Sequence, residues 1–236
     1  SAGAVKVHPV YHATLWLEIG EKIVWIDPWS KGKLDGPKAD VVLITDIHGD
    51  HMDPATLHGL DLGKARIIAP RAVVDQLPED LKTLSVPLAN GVRTELLGIG
   101  IETVPMYNMP DPNDPRHPKG RGNGYVLTFG TERFYISGDT EDIPEMRALK
   151  NIDVAFVCMN LPYTMTVHQA ASGVLALIAS IQLFLPSYLG DCAWFTYGRT
   201  SAMAEIMPVE IPFGFSGSAL TTGGSFGALK IGSLQL

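Results

Sequence analysis

The chain has 236 residues, which is long enough to bury a full hydrophobic core, and we predict a single domain over residues 1–236. Its formal net charge of −7 and its scattered basic residues argue against a nucleic-acid-binding surface. Apolar runs stay shorter than the ~18 residues that a membrane-spanning helix requires, so the sequence predicts no membrane partner either.

The first half of the chain predicts strands joined by short turns. These strands are predicted at 5–10, 13–19, 22–27, 41–45 and 66–69. Short helices are predicted at 54–60 and 71–77. The first of them has Asp53 at its N-cap and Pro54 at its first helical position, a combination typical of helix starts.

The second half predicts more strands and two helices. The strands are predicted at 93–97, 100–107, 124–129, 132–137 and 153–158. The helices are predicted at 142–149 and 166–178, the latter with Thr166 at its N-cap. A loop over 108–123 is rich in Pro, Asp, Asn and Gly, and a loop of this length in a compact domain is usually functional or disordered.

Four side chains that can ligate a metal fall within six residues, directly after the predicted strand 41–45. They are Asp46, His48, Asp50 and His51. The end of a strand holds such ligands rigidly while leaving them accessible to substrate. Imidazole and carboxylate together suit borderline divalent metals such as zinc or manganese. The sequence therefore predicts a metal site at this position.

The run from Asp46 to His51 resembles the H-x-H-x-D-H signature of the metallo-β-lactamase superfamily, with Asp46 in place of the first His. Four further segments resemble the same superfamily, in the order Tyr11-His12-Ala13-Thr14, Asp27-Pro28, His117–Tyr125 and Ser137-Gly138-Asp139-Thr140. The resemblance covers residues 5–172 and extends to the branch that includes the ascorbate-6-phosphate lactonase-like hydrolases.

This resemblance implies an α/β fold, a four-layer αβ/βα sandwich with the metal site at one edge between two facing sheets. It also implies a hydrolase that uses one or two ions of Zn²⁺, or alternatively Mn²⁺. A metal-bound hydroxide would attack an ester, lactone, amide or phosphodiester bond of a small molecule. The branch favours an ester or lactone, whereas the oligomeric state stays open.

The resemblance also implies the ligand set. Asp46, His48 and His117 would hold one metal, Asp50 and His51 would hold a second, and Asp139 would bridge the two. Asp50 would additionally orient the attacking water and so act as the catalytic residue. The residues leave three alternatives open: Asp46 as an acceptor that orients a ligand His, Asp139 as a helix cap, and His117 as an exposed loop residue.

Substrate contacts are predicted less sharply. Lys119 and Arg121 could clamp a carboxylate or phosphate together, or form a solvated basic loop. His12, a third candidate for substrate contact, could line the site behind the ligands, or it could be a core or surface residue. Asp27 could fix a turn or a hydrogen bond behind a ligand. The loop after the predicted strand 153–158 would lie near the substrate entrance, with Asn160, Tyr163 and Thr164 as possible polar contacts. Three further histidines are predicted to lie at the surface, namely His8, His58 and His168.

The last quarter of the chain departs from the resemblance. Residues 173–236 hold only five charged residues, and no His follows His168. In the superfamily this region supplies a last ligand His from a Pro-Tyr-His-Tyr-like motif, to which 185–189 is the nearest match. The low charge and the missing His could each be explained by a lineage-specific tail, a surface covered by a partner, or a reading-frame change in the source sequence. The alternative function is therefore a catalytically impaired or non-enzymatic metal-binding member, unless Tyr188 or Asp191 supplies an oxygen ligand.

Two cysteines and the first residues bear on the compartment. Cys158 lies in an apolar run and is predicted to pack as a small hydrophobe, with a disulfide to Cys192 left open. The start Ser1-Ala2-Gly3-Ala4 fits either a mature N-terminus after signal cleavage or a cloning remnant. The sequence therefore allows a cytoplasmic or a periplasmic or secreted protein.

Overall fold

The computed structural model describes residues 5–109 and 116–177, together with the backbone of 182–184 and 193–198. Six strands form a first sheet in the spatial order of the chain. They are β1 Val5–Tyr11, β2 Thr14–Ile19, β3 Lys22–Ile26, β4 Val41–Leu43, β5 Arg66–Ala69 and β6 Ser85–Pro87. β1 to β3 pair antiparallel, and β3 to β6 pair parallel.

The second sheet is mixed and has the spatial order β12-β13-β11-β10-β9-β8-β7. Its strands are β7 Arg93–Leu96, β8 Ile99–Met106, β9 Gly122–Phe129, β10 Glu132–Ile136, β11 Val154–Met159, β12 Gln182–Phe184 and β13 Ala193–Gly198. Only β10 and β11 pair parallel among these described strands, and the other neighbours pair antiparallel.

Helices cover the outer face of each sheet. They are α1 Pro54–Gly59, α2 Arg71–Val74, α3 Glu79–Leu84, α4 Pro144–Arg147 and α5 Val167–Leu177. The first three pack on the first sheet, and α4 and α5 pack on the second. None of these described helices is long and apolar enough to cross a membrane.

Side-chain alternation along the strands builds three apolar layers. Val41 and Leu43 of β4 face the opposite sheet, whereas Val42 faces the helices. Likewise, Phe134 of β10 faces the space between the sheets and Tyr135 faces α4 and α5. Because each sheet buries both faces, the strands read as apolar runs, and the predicted four-layer αβ/βα sandwich is confirmed.

Four described elements were absent from the sequence prediction: α3, β6, β12 and β13. The short α3 and β6 were absent from it because α3 buries only Leu81, which leaves little helical periodicity. β13 pairs along the whole of β11, although its residues lie in the quarter of the chain that lacks clear periodicity.

Cys158 is buried, and its thiol donates to the carbonyl of Thr140. Its candidate disulfide partner Cys192 lies outside the described residues.

Asp53 forms the predicted N-cap of α1. Its carboxylate accepts hydrogen bonds from the backbone N–H groups of Ala55 and Thr56, with Pro54 at the first helical position. Replacing Asp53 with Ala is expected to lower the free energy of unfolding by about 1 kcal/mol, because these N–H groups lose their acceptor. Urea denaturation would measure this, and Asp53→Ser, which restores an acceptor, is expected to recover most of the loss.

Candidate metal centre

The candidate site lies at one edge of the sandwich, where strands of both sheets end. Asp27 follows β3, the run 46–51 follows β4, and Asp139 follows β10. His117 lies in the connection between β8 and β9, which begins and ends at the same edge. The fold thereby brings together side chains from distant parts of the chain.

Direct hydrogen bonds fasten the two sheets to each other at this edge. The Tyr125 hydroxyl donates to the Ile44 carbonyl over 2.7 Å, and the Asn123 N–H donates to the Thr45 carbonyl over 3.0 Å. Gly138 has a φ of +59°, and a Cβ there would lie 2.5 Å from the Met106 sulfur. Only Gly fits this turn without displacing its neighbours, so Asp139 is held in a fixed position.

One group of potential ligands consists of Asp46, His48 and His117, with one ligand atom of each within 4.8 Å of the others. His48 Nδ1 lies 2.9 Å from Asp46 Oδ2. His117 is 2 % exposed, so it is not the exposed loop residue that the sequence allowed. Its Nδ1 lies 2.7 Å from Asn108 Oδ1, which leaves the buried Nε2 without a hydrogen-bond partner.

Arg121 forms an ion pair with Asp46, the carboxylate of this first group. Its Nε and Nη2 donate to the two oxygens of Asp46 over 3.1 and 2.9 Å. Burial alone would raise the pKa of Asp46, but hydrogen bonds from His48 and Arg121 outweigh it and lower the pKa to about 2. Asp46 is therefore ionised, and its charge is compensated by a guanidinium.

The second group consists of His12, Asp50 and His51, again within 4.8 Å. His12 Nε2 lies 2.8 Å from Asp50 Oδ2, and His51 Nε2 lies 3.8 Å from the same oxygen. Burial alone would raise the pKa of Asp50, but the His12 hydrogen bond and the His51 charge hold it below its ordinary value. His12 is thus placed among the potential ligands rather than behind them.

Asp27 orients His51 from behind. Its Oδ2 lies 2.7 Å from His51 Nδ1, and its carboxylate accepts from the N–H and hydroxyl of Thr45. A carboxylate behind a ligand imidazole fixes the tautomer and direction of the ring. Of the two roles that the sequence allowed for Asp27, the structure shows the hydrogen bond, which Asp27 makes with His51 Nδ1. This contact turns His51 Nε2 toward Asp139.

Asp139 lies between the two groups. Its Oδ2 is 3.3 Å from His51 Nε2 and 3.5 Å from His117 Nε2. It does not cap a helix, since α4 begins after Ile143 and has no side-chain cap. Burial alone would lower the pKa of His51, but the charges of Asp139 and Asp27 raise it well above its usual value. The carboxylates of Asp139 and Asp27 therefore favour a positive charge at this position.

The residues of this edge fit a metal ion. His51 Nε2 and His117 Nε2 are buried without a hydrogen-bond partner, and both face Asp139. Buried polar atoms are normally satisfied, and a cation bound beside Asp139 would satisfy both nitrogens. Imidazole nitrogen and carboxylate oxygen are the donors that zinc and manganese accept.

A cavity of about 510 Å³ opens over both groups. Its floor contains His12, His48, Asp50, His117 and Asp139. Cavities of this volume accommodate small molecules. A ligand in this cavity would contact both candidate metal groups at once.

The rim of the cavity combines cations with aromatic rings. The Lys31 ammonium lies 4.5 Å from the centre of the Trp29 ring, and the Arg116 guanidinium lies 4.9 Å from that of Tyr163. Asn160 also lines the cavity, so Asn160 and Tyr163 lie near the entrance as the sequence predicted. Thr164 does not line it and is buried against Asn160. Sequence reasoning missed Trp29, Lys31 and Arg116, because only the fold brings their separate loops together.

The structure does not bring Lys119 and Arg121 together as an anion clamp. Lys119 Nζ lies 2.6 Å from Glu145 Oε1 and over the Tyr107 ring, whereas Arg121 lies on Asp46. Neither residue lines the cavity. Their proximity in sequence was misleading because the Gly120 turn between them has a φ of +89°, and their side chains contact different partners.

The remaining histidines lie away from the site. His8 stacks on Trp16, His58 pairs with Asp80 over 2.7 Å at the surface, and His168 is exposed on α5. The tail residues 185–189 and Asp191, which the sequence raised as substitutes for the last ligand, lie outside the described residues. The candidate ligands among the described residues therefore all come from residues 12–139.

Known proteins resemble this chain over most of its length. A metal-dependent hydrolase of the UPF0173 group from Thermococcus onnurineus is 30 % identical over 180 residues, which cover 72 % of this chain and 79 % of the relative. A group member from Pyrococcus abyssi is 28 % identical with the same coverage.

Solved structures of metal-dependent hydrolases are also similar to this chain. A proposed metal-dependent hydrolase from Parabacteroides distasonis has 40 % identity and a TM-score of 0.67, covering 72 % of this chain and 77 % of that one. A metallo hydrolase from Ignicoccus hospitalis, 21 % identical with a TM-score of 0.56, covers 74 % and 78 % and shows the shared fold. The beta-lactamase superfamily domain model matches residues 20–184. Because this match spans well over half of a chain with the metallo-β-lactamase fold, the protein belongs to the beta-lactamase superfamily.

Proposed function

We propose that this protein is a metal-dependent hydrolase of a small molecule and that its reaction takes place in the cavity above Asp139. The observation that carries the proposal is the position of Asp139 between two groups of ligating side chains on the floor of one cavity. The names of its relatives as metal-dependent hydrolases support the proposal. One or two ions of Zn²⁺, or alternatively Mn²⁺, would be held there.

The candidate ligands have distinct roles. Asp46, His48 and His117 would hold one ion, His51 and Asp50 would hold the other, and Asp139 would contact both. A bound divalent ion would polarise a substrate oxygen and lower the pKa of a water. Asp50 is ionised and reaches the cavity, so it can accept a hydrogen bond from a water and orient it toward the substrate.

The cavity walls favour a small substrate with polar or negative groups. Lys31 and Arg116 place positive charge at the rim, and Trp29 and Tyr163 supply flat apolar surfaces beside it. An ester or lactone is the bond type that we favour, with an amide or phosphodiester as the other candidates. The net charge of −7 disfavours nucleic acid as substrate.

A second candidate function is metal binding without catalysis. It is favoured by the absence of any His after His168, since the superfamily takes a last ligand from that region. Metal content and turnover together separate the two functions. Metal without turnover across a panel of esters, lactones, amides and phosphodiesters would favour the non-catalytic protein.

The test of the proposed function uses His48→Ala. We expect wild type, stripped with a chelator and reloaded with zinc or manganese, to hydrolyse at least one substrate class, and the metal-free protein to be inactive. His48→Ala is expected to lose metal from the first group and to lower turnover by ~100-fold or more, because losing a ligand should cost more than the ~10–100-fold cost of losing a partner behind a ligand.

The matched control is His168→Ala, which removes an exposed imidazole on α5 and should leave metal content and turnover unchanged. Elemental analysis and initial rates supply both readouts. If reloaded wild type holds no metal, or if His48→Ala retains full metal content and rate, the proposed function is wrong.

A further inference from the structure

We infer that His12 is a direct metal ligand and that the group of His12, Asp50 and His51 is the tighter of the two metal sites. This inference rests on the proposed metal-dependent function and identifies which residues complete its second site. The superfamily resemblance assigned His12 no ligand role, and it left the second group short of an imidazole from the tail.

The backbone places His12 for this role. It occupies the turn between β1 and β2 with a φ of +53°. A non-glycine residue in this left-handed region is uncommon, and such strain is usually retained at functional sites. Because β1 and β2 lie next to β3 and β4 in the same sheet, this turn meets the loop that carries Asp50.

The side chain of His12 is aimed at the second group. Its Nε2 lies 2.8 Å from Asp50 Oδ2, its ring centre lies 6.2 Å from that of His51, and the side chain is 10 % exposed. The unpartnered and fully buried Nε2 of His51 faces the same space. With Asp139 beside it, the group offers two imidazoles and two carboxylates, a complete four-ligand set for zinc or manganese.

The two groups differ in how far the negative charge of their carboxylates is already neutralised by neighbouring cations. Asp46 of the first group is already paired with the Arg121 guanidinium through two hydrogen bonds. Among the described residues, Asp50 and Asp139 pair only with histidines, which bind a metal in their neutral form. Asp139 is shared by both groups, so the difference lies in the second carboxylate: a divalent cation meets the uncompensated Asp50 in the second group and the neutralised Asp46 in the first. The second group should fill first, without any residue from the tail.

The experiment compares His12→Gln with His58→Gln. A Gln side chain can still donate an N–H to Asp50, so it preserves any positioning role of His12 while removing the imidazole ligand. His58 forms a similar His–Asp pair with Asp80 at the surface, with Nε2 and Oδ2 2.7 Å apart, and is the matched control. Equilibrium dialysis against zinc measures the affinities, and melting of the metal-free proteins verifies that both variants fold.

We expect wild type and His58→Gln to bind their first equivalent of zinc equally tightly. We expect His12→Gln to bind it ~100-fold or more weakly, beyond the usual 10–100-fold effect of residues behind the ligands. In zinc-loaded crystals, the anomalous peak of the tighter site should lie about 2.0–2.1 Å from His12 Nε2.

Two results would overturn the inference and leave the proposed function standing. One is that His12→Gln binds its first zinc as tightly as wild type, which would make His12 at most a positioning residue for Asp50. The other is that the tighter site lies at Asp46, His48 and His117, with His12 still on Asp50. If wild type binds no zinc at all, the inference and the proposed function fail together.

Discussion

Replacing Asp50 with Asn is expected to lower turnover by ~100-fold or more without unfolding the protein. Asn has the size of Asp but no charge, and it cannot accept a proton from water. The Asp50 carboxylate reaches the cavity and contacts His12. Its pKa is held below the ordinary value, so the charge that the variant loses is present at neutral pH.

One control variant and a measurement of metal content define this result. Asp80→Asn removes the carboxylate of the exposed pair with His58 and should change neither turnover nor metal content. Initial rates on the substrate that the reloaded wild type hydrolyses give the readout, and dialysis reports the zinc retained. Turnover within a few-fold of wild type, at full metal content, would remove Asp50 from the catalytic role.

The layers of the fold follow from sequence, whereas its short elements do not. Strands such as β4 and β10 are buried on both faces, so their apolar runs are visible without a structure. α3 and β6 are stabilised by packing on one edge of the first sheet, and their own residues carry little periodic signal. Tertiary contacts, rather than local propensity, determine them.

In the candidate site, too, residues that are close in sequence can be predicted, whereas contacts between distant segments cannot. His48, Asp50 and His51 fall within four consecutive positions, so a single strand end predicts their proximity. His12 and Asp50 are 38 residues apart, and their contact depends on the spatial order of β1 to β4. The strained turn at His12 gives no periodic signal, although its Tyr-His-Ala-Thr segment marked it as a candidate. Spacing alone also suggested Lys119 with Arg121, which the structure separates.

The largest expected effect on stability is that of Asp27→Asn. Asp27 is fully buried, and its carboxylate faces His51 Nδ1 and accepts two hydrogen bonds from Thr45. The amide group of Asn can accept at only one of these positions and sets an N–H₂ against the others. Breaking a buried charge pair on one side costs about 3–5 kcal/mol, so chelator-treated Asp27→Asn should unfold at clearly lower urea concentration.

Metal binding should weaken as well, because His51 loses the group that orients its ring. A loss of ~10–100-fold in zinc affinity is expected for such a partner behind a ligand. Asp40→Asn is the matched control: its carboxylate accepts from the Ile23 N–H at the opposite end of β3, so only stability should change, by about 1 kcal/mol. If Asp27→Asn keeps wild-type stability and zinc affinity, the contact between Asp27 and His51 does not organise the site, and the second group is positioned by its backbone alone.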